Sequence, residues 1–219
     1  YQDYWAGLEG EFEAGEAVDL FGGARYSRLH EERNSPEDVL GADPTEFDDI
    51  EAFLGTRLSL GGASARLGGT YQRLDFIDDR PSFDIANHDD RDRDLVSFGA
   101  RLGYRQSTAL EWFVQGATDS RQYDVPFDDF GFDRDSDGYN AAAGFQFRRG
   151  PTLAGEVLAG YMHQDYDDPR LKDVDALDLG ALVQWRASAR TTVRGALDRT
   201  LEETTLVGAS SYMRTALQA

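Results

Sequence analysis

The feature that most restricts this chain is an alternation of apolar and polar residues with period two, repeated in segment after segment. Leu177, Leu179, Ala181, Val183 and Trp185 interleave with Asp178, Gly180, Leu182, Gln184 and Arg186. Tyr139, Ala141, Ala143, Phe145 and Phe147 interleave with Asn140, Ala142, Gly144, Gln146 and Arg148. Val96, Phe98, Ala100, Leu102 and Tyr104 oppose Leu95, Ser97, Gly99, Arg101 and Gly103, and the same holds for Ile50–Leu60. Successive side chains of a strand point to opposite faces, so this period describes strands with one apolar and one polar face. It predicts ten strands near residues 2–13, 17–29, 46–60, 63–76, 94–106, 109–123, 139–148, 152–166, 176–187 and 191–203. An eleventh begins near 211.

The connections alternate in length. Short ones fall at Gly15, Gly61-Gly62, Ser107-Thr108, Gly150-Pro151 and Ser188-Ala189, so each hairpin is one repeat unit. The others are long and acidic. Five stretches (30–49, 75–94, 119–137, 165–178 and 198–203) hold 32 of the 41 Asp and Glu residues. Tight turns at one end and long polar loops at the other describe an antiparallel up-and-down meander.

Charge and composition exclude several classes. A net charge of −19 lacks the basic footprint of a nucleic-acid binder. Thirteen Phe, ten Tyr and three Trp are too many aromatics for a disordered chain. Cysteine is absent, which removes disulfides and thiolate chemistry. No run reaches the roughly 18–20 apolar residues of a spanning helix.

The polar faces decide between a soluble sheet and a membrane sheet. They carry charge at mid-strand, where a soluble sandwich would place its core. Five consecutive hairpins would also leave a very wide sheet with open edges. An all-β, up-and-down transmembrane β-barrel resolves both points: the apolar face meets lipid, the polar face lines a lumen and every backbone group is paired. Tyr26, Tyr71, Tyr104, Tyr123, Tyr161, Tyr166 and Trp185 near strand ends fit interfacial girdles. A soluble β-meander binding module is the alternative. Residues 1–219 read as a single barrel domain. Bacterial single-chain barrels have even strand numbers, so eleven strands predict part of a larger barrel, incomplete at its C-terminus.

Four segments carry a family resemblance: Tyr26-Ser27-Arg28-Leu29-His30-Glu31-Glu32-Arg33, Phe132-Asp133-Arg134-Asp135-Ser136-Asp137-Gly138-Tyr139, Gln164-Asp165-Tyr166-Asp167-Asp168-Pro169-Arg170-Leu171-Lys172-Asp173 and Leu201-Glu202-Glu203-Thr204-Thr205-Leu206. With them the chain resembles the β-barrel porins of alphaproteobacterial outer membranes along essentially its whole length. The resemblance implies a Gram-negative outer-membrane barrel. Some related barrels are associated with exopolysaccharide export, and the family supplies no catalytic residues.

The candidate pore lining is a set of charges on the polar faces: Arg25, Glu51, Arg57, Arg66, Arg101, Glu111, Arg148, Glu156, Asp178, Arg186 and Arg194. One reading is an aqueous porin-like channel whose charges select hydrophilic solutes, polysaccharide among them. The other is a lumen filled by Arg–carboxylate pairs in a non-conducting structural or complex-forming barrel. Phe53, Phe113 and Trp5 share that face and are expected to pack against arginine stems. An enzyme is not expected, because the three histidines (His30, His88 and His163) lie amid loop carboxylates and no Gly-x-Ser-x-Gly is present.

No cofactor is required by this reading, with one addition. Asp133, Asp135 and Asp137, followed by Gly138 and the carbonyl of Tyr139, match the first half of a calcium loop. The twelfth position is Gly144, where such a loop has a bidentate glutamate, so a weak Ca2+ site in an outer loop is the expectation. Expected partners are outer-membrane lipid and lipopolysaccharide, a hydrophilic solute or polysaccharide, and a second copy or envelope complex.

Overall fold

The computed structural model describes residues 2–31, 44–77, 89–204 and 209–218. Eleven strands run β1 (Tyr4–Glu13), β2 (Val18–His30), β3 (Glu46–Leu60), β4 (Ala63–Phe76), β5 (Arg93–Ser107), β6 (Leu110–Tyr123), β7 (Ser136–Arg149), β8 (Leu153–Tyr166), β9 (Val174–Arg186), β10 (Thr192–Glu203) and β11 (Ser211–Gln218). They form one antiparallel sheet in sequence order, each strand paired with the next. A 3-10 turn, Asp89–Arg91, precedes β5. The fold is all-β and up-and-down, and the strands from β2 to β10 are 12–15 residues long. That length exceeds the roughly 9–11 residues a tilted strand needs to cross a bilayer.

Turn chemistry fixes the short end. Gly61 (φ 65°) and Gly150 (φ 59°) take left-handed conformations where the chain reverses between β3 and β4 and between β7 and β8. A tight hairpin needs that conformation, and glycine adopts it without steric cost. Between β5 and β6 a bulge at Arg105/Ser107 absorbs one residue.

The register assigns every strand residue to a face without a break. Arg57, Arg66, Arg101, Gln115, Ala142, Gly160 and Asp178 form one continuous row across β3 to β9. The face they occupy is concave, because Arg101 on β5 reaches Glu156 on β8 across β6 and β7. The buried strand residues Ser27, Asp49, Phe76, Phe113, Tyr123, Ser136, Gln164, Tyr166 and Asp178 all lie on it.

The convex face is the inverse of a soluble protein's surface. Leu8, Phe12, Leu54, Leu67, Phe98, Leu102, Val114, Leu177 and Val193 point outward and are exposed. A contiguous apolar surface of this size has no stable place in water; against lipid it is the required band of a membrane barrel. Trp5 and Leu182 are exposed on the concave face instead.

Two expectations are corrected. β7 begins at Ser136 and not near 139, because Ser136 and Gly138 continue the ladder against Tyr166 and Gln164 despite the intervening Asp137. Tyr123 and Tyr166 do not join an outer girdle. Both point to the concave face and are 9% and 4% exposed, whereas Tyr26, Tyr71, Tyr104, Tyr161 and Trp185 face outward.

Candidate lumen and its outer mouth

All eleven candidate pore-lining residues fall on the concave face. Arg25 lies 2.9 Å from Glu51. Arg57 donates to Glu11 at 2.7 Å and stands 3.7 Å from Asp19. Arg101 forks the Glu156 carboxylate at 2.8 and 2.9 Å, and Gln146 adds a third hydrogen bond to it at 2.6 Å. Asp178 accepts from the Asn140 side chain at 3.3 Å. Glu111 lies 3.9 Å from Arg105. Arg25–Glu51, Arg57–Asp19 and Arg105–Glu111 join neighbouring strands, where facing side chains lie close, whereas Arg57–Glu11, Arg101–Glu156 and Asn140–Asp178 reach over one or two intervening strands of the hollow.

Four further arginines (Arg66, Arg148, Arg186 and Arg194) have no carboxylate within 4 Å among the described residues, and all are exposed on the concave face. Arg148 and Arg194, with Glu111, Gln146, Glu156 and Gln184, line a cavity of about 890 Å3 toward the short-turn end. Aromatic rings support the charges, as Phe113 lies under Arg101 at 3.4 Å and Phe21 under Arg66 at 4.6 Å. Phe113 therefore packs against an arginine as the sequence predicts, whereas Phe53 meets the Phe21 ring at 6.5 Å and Trp5 is exposed. Phe21 was not singled out there, although it has the same parity as Arg25.

The long-loop end is laced together. Arg134, 2% exposed, has Nε and Nη2 within 2.8 Å of Asp128 and donates Nη1 to the carbonyls of Thr204 and Ala209 at 2.6 and 2.8 Å. Asp128 in turn accepts the amides of Phe130 and Phe132 at 2.9 Å. One guanidinium thus joins the β6–β7 loop to the β10–β11 loop. Arg91 forks Glu31 at 2.9 and 3.1 Å and lies 4.0 Å over the Phe76 ring. Near these contacts Phe76, Tyr123 and Tyr166 are buried on the concave face. A buried guanidinium with several charge-assisted partners is stable where an unpaired one would not be.

Burial pushes the Asp92 carboxyl up to about 6, with the Asp75 and Asp124 charges adding to it and the Phe76 amide opposing. Burial also raises Asp90, beside Asp128 and Asp129. Asp167 is raised by burial and by the charges of Asp133, Asp135, Asp137 and Asp165. Asp168, by contrast, is held far below the carboxylate range by Arg170 and by backbone amides.

The calcium-loop residues are engaged separately, although all three aspartates lie near enough to act on Asp167. Asp135 accepts the Tyr123 amide at 2.7 Å and Asp133 accepts the Asp135 amide at 3.1 Å. Asp137 and Tyr139 share the convex face of β7, where the Tyr139 ring meets Tyr161 and His163. Among the described residues no group of three or more acidic or histidine side chains is arranged to hold a metal. His163 pairs with Asp175 at 2.8 Å and His30 with Asp3 at 2.8 Å, while His88 lies outside the described residues.

On the convex face a pairing recurs that the sequence did not show. Tyr26 and Arg28 share Asp48, Tyr71 and Arg73 approach Asp94, and Tyr161 and His163 share Asp175. The aspartates follow long loops of differing length, so only the register brings them to the tyrosines.

The family Putative beta-barrel porin 2 matches residues 1–219, the whole chain. None of the curated proteins matches it. The chain belongs to that porin family, and it is an outer-membrane β-barrel protein.

Proposed function

We propose, from this family membership and the inverted faces of the sheet, that the concave surface lines an aqueous channel for hydrophilic solutes, polysaccharide included. The observation that carries the reading is the exposure of Arg66, Arg148, Arg186 and Arg194 on the concave face, with no carboxylate within 4 Å among the described residues. Charges that merely fill a lumen would be paired, since an uncompensated charge away from water is costly. Charges facing water instead set the field that a passing solute meets. The role is non-enzymatic. Reconstitution of the full-length protein in a planar bilayer tests the proposal, with steady open-state current as the expected result.

A non-conducting structural barrel is favoured by one observation, the loops laced through Arg134 and Arg91 over the outer end. Arg134→Ala separates the two readings, because current that appears only in this variant would show a closed mouth. In either reading the convex band meets outer-membrane lipid. Lipopolysaccharide headgroups fit the level of the tyrosine–aspartate pairs, and a second copy or envelope complex is a further partner to test. Weak calcium binding at the outer loop belongs to the same proposal. Its support is the mutual repulsion around Asp167, which a cation would relieve. Saturable calcium binding that Asp135→Asn abolishes and Asp129→Asn retains is the expected calorimetric result.

A further inference from the structure

Three arginines stand side by side on the concave face. Arg57 on β3 is directly opposite Arg66 on β4, and Arg66 is directly opposite Arg101 on β5. Directly opposed like charges destabilise a strand pair, so such a row needs compensation. The outer two arginines have it. Arg57 is neutralised by Glu11 and Asp19, from β1 and β2, and Arg101 by Glu156, from β8. Both sets of carboxylates draw their arginine away from the centre of the row. Arg66 has none within 4 Å among the described residues.

Arg66 is nevertheless held in place. Its guanidinium lies over the Phe21 ring at 4.6 Å from the centroid. Stacking on a ring face fixes the plane of the fork and leaves its in-plane N–H donors free. The floor around it is built of short residues, with the Phe21 ring over Gly55 and the Glu111 carboxylate beside Gly103 and Ser64. The neighbouring rows on β3, β4 and β5 are Gly55, Gly68 and Gly99 on one side, and Ser59, Ser64 and Gly103 on the other. No side chain longer than serine rises from those six positions.

We propose that Arg66, flanked by Arg57 and Arg101, is an oxyanion subsite of the lumen. It takes a carboxylate, phosphate or sulfate group carried by a solute in transit. A planar, two-oxygen face matches the guanidinium fork, and a bound anion supplies the partner that Arg66 lacks among the described residues. The inference rests on the channel reading and names the chemistry of what that channel passes.

The test uses the full-length protein in a planar bilayer in potassium chloride, with inorganic phosphate and acetate as probes. Phosphate is expected to reduce the current saturably, and acetate to do so at higher concentration. Arg66→Gln should raise the half-blocking phosphate concentration at least about tenfold, equivalent to about 1.4 kcal/mol. Arg66→Lys, which keeps the charge and loses the fork, should raise it less. Arg149→Gln, on the convex face, should leave it unchanged. Unsaturable block in the wild type, or equal block in Arg66→Gln, would overturn the subsite while leaving the channel intact. If the folded protein carries no current, the channel reading fails by itself. Phosphorus NMR in detergent micelles then decides the subsite: phosphate line broadening lost in Arg66→Gln supports it, and broadening equal in both proteins overturns it.

Discussion

Arg101 on β5 donates two hydrogen bonds to the carboxylate of Glu156 on β8, at 2.8 and 2.9 Å, with β6 and β7 passing between their strands. Neighbouring strands are about 4.8 Å apart, so the pair spans a chord of the sheet and marks its hollow side. It also stands beside the unpaired Arg66. Glu156→Gln keeps a hydrogen-bonding side chain and removes the charge. The expected outcome is a small stability loss, about 1 kcal/mol for a partly buried pair still screened by solvent, with a clear shift of the reversal potential toward anion selectivity in a salt gradient. An unchanged reversal potential would place Arg101 outside the conduction path.

The two faces differ in their tolerance of charge. Phe98 is 66% exposed on the convex face, and Gly99 beside it lies on the concave face, where an added Cβ meets only ordinary contacts. Phe98→Arg should lower the folding free energy by about 2–4 kcal/mol if the site is near the bilayer midplane. Gly99→Arg should cost less. Urea unfolding from lipid vesicles reads the difference, and equal losses would contradict the assignment of faces.

The long loops are expected to face the cell exterior and the tight turns the periplasm, as outer-membrane barrels place them. The chain has no cysteine, so single cysteines report cleanly. In whole cells an impermeant maleimide should label Asp129→Cys and spare Thr108→Cys. The reverse pattern would invert the topology.

The outer mouth should tighten in mild acid. Asp92 titrates in the folded protein at about 6 against an ordinary 3.8. A raised carboxyl pKa means that folding favours the protonated form. Its stabilising contribution is therefore fully present below about 4 and is lost as the pH rises through 6. Asp92→Asn keeps an oxygen to accept the Phe76 amide, now at 2.7 Å, and carries no charge. It should protect the loops from protease at pH 7 by on the order of 1 kcal/mol and flatten the pH dependence between 4 and 6. Unaltered pH dependence in the variant would remove Asp92 from the account.

The strands, their faces and the tight turns are legible in the sequence because their causes are local. Period two fixes which residues share a face, and Gly61 and Gly150 mark where the chain can reverse. The concave-face placement of all eleven candidate pore-lining residues follows from parity alone. Aromatic position along the strand does not place Tyr123 and Tyr166; parity does, since Tyr123 shares the face of Glu111 and Tyr166 that of Glu156. The mouth was not legible. Arg134 binds carbonyls at Thr204 and Ala209, some 70 residues away, and backbone carbonyls carry no sequence signal. Nor does the spacing of Asp133, Asp135 and Asp137 show that β7 starts at Ser136 and sends Asp137 to the convex face.

The central claim is that the sheet is inside-out, with lipid on its apolar face and water on its charged face. Nitroxide side chains placed one at a time at Phe113, Val114, Gln115, Gly116 and Ala117 along β6, in the full-length protein in lipid vesicles, measure this directly. Collision rates with oxygen should peak at Val114 and Gly116, and those with a water-soluble nickel chelate at Gln115 and Ala117, in opposite phase with period two. Equal accessibility along the strand, or nickel maxima at Val114 and Gly116, would contradict it.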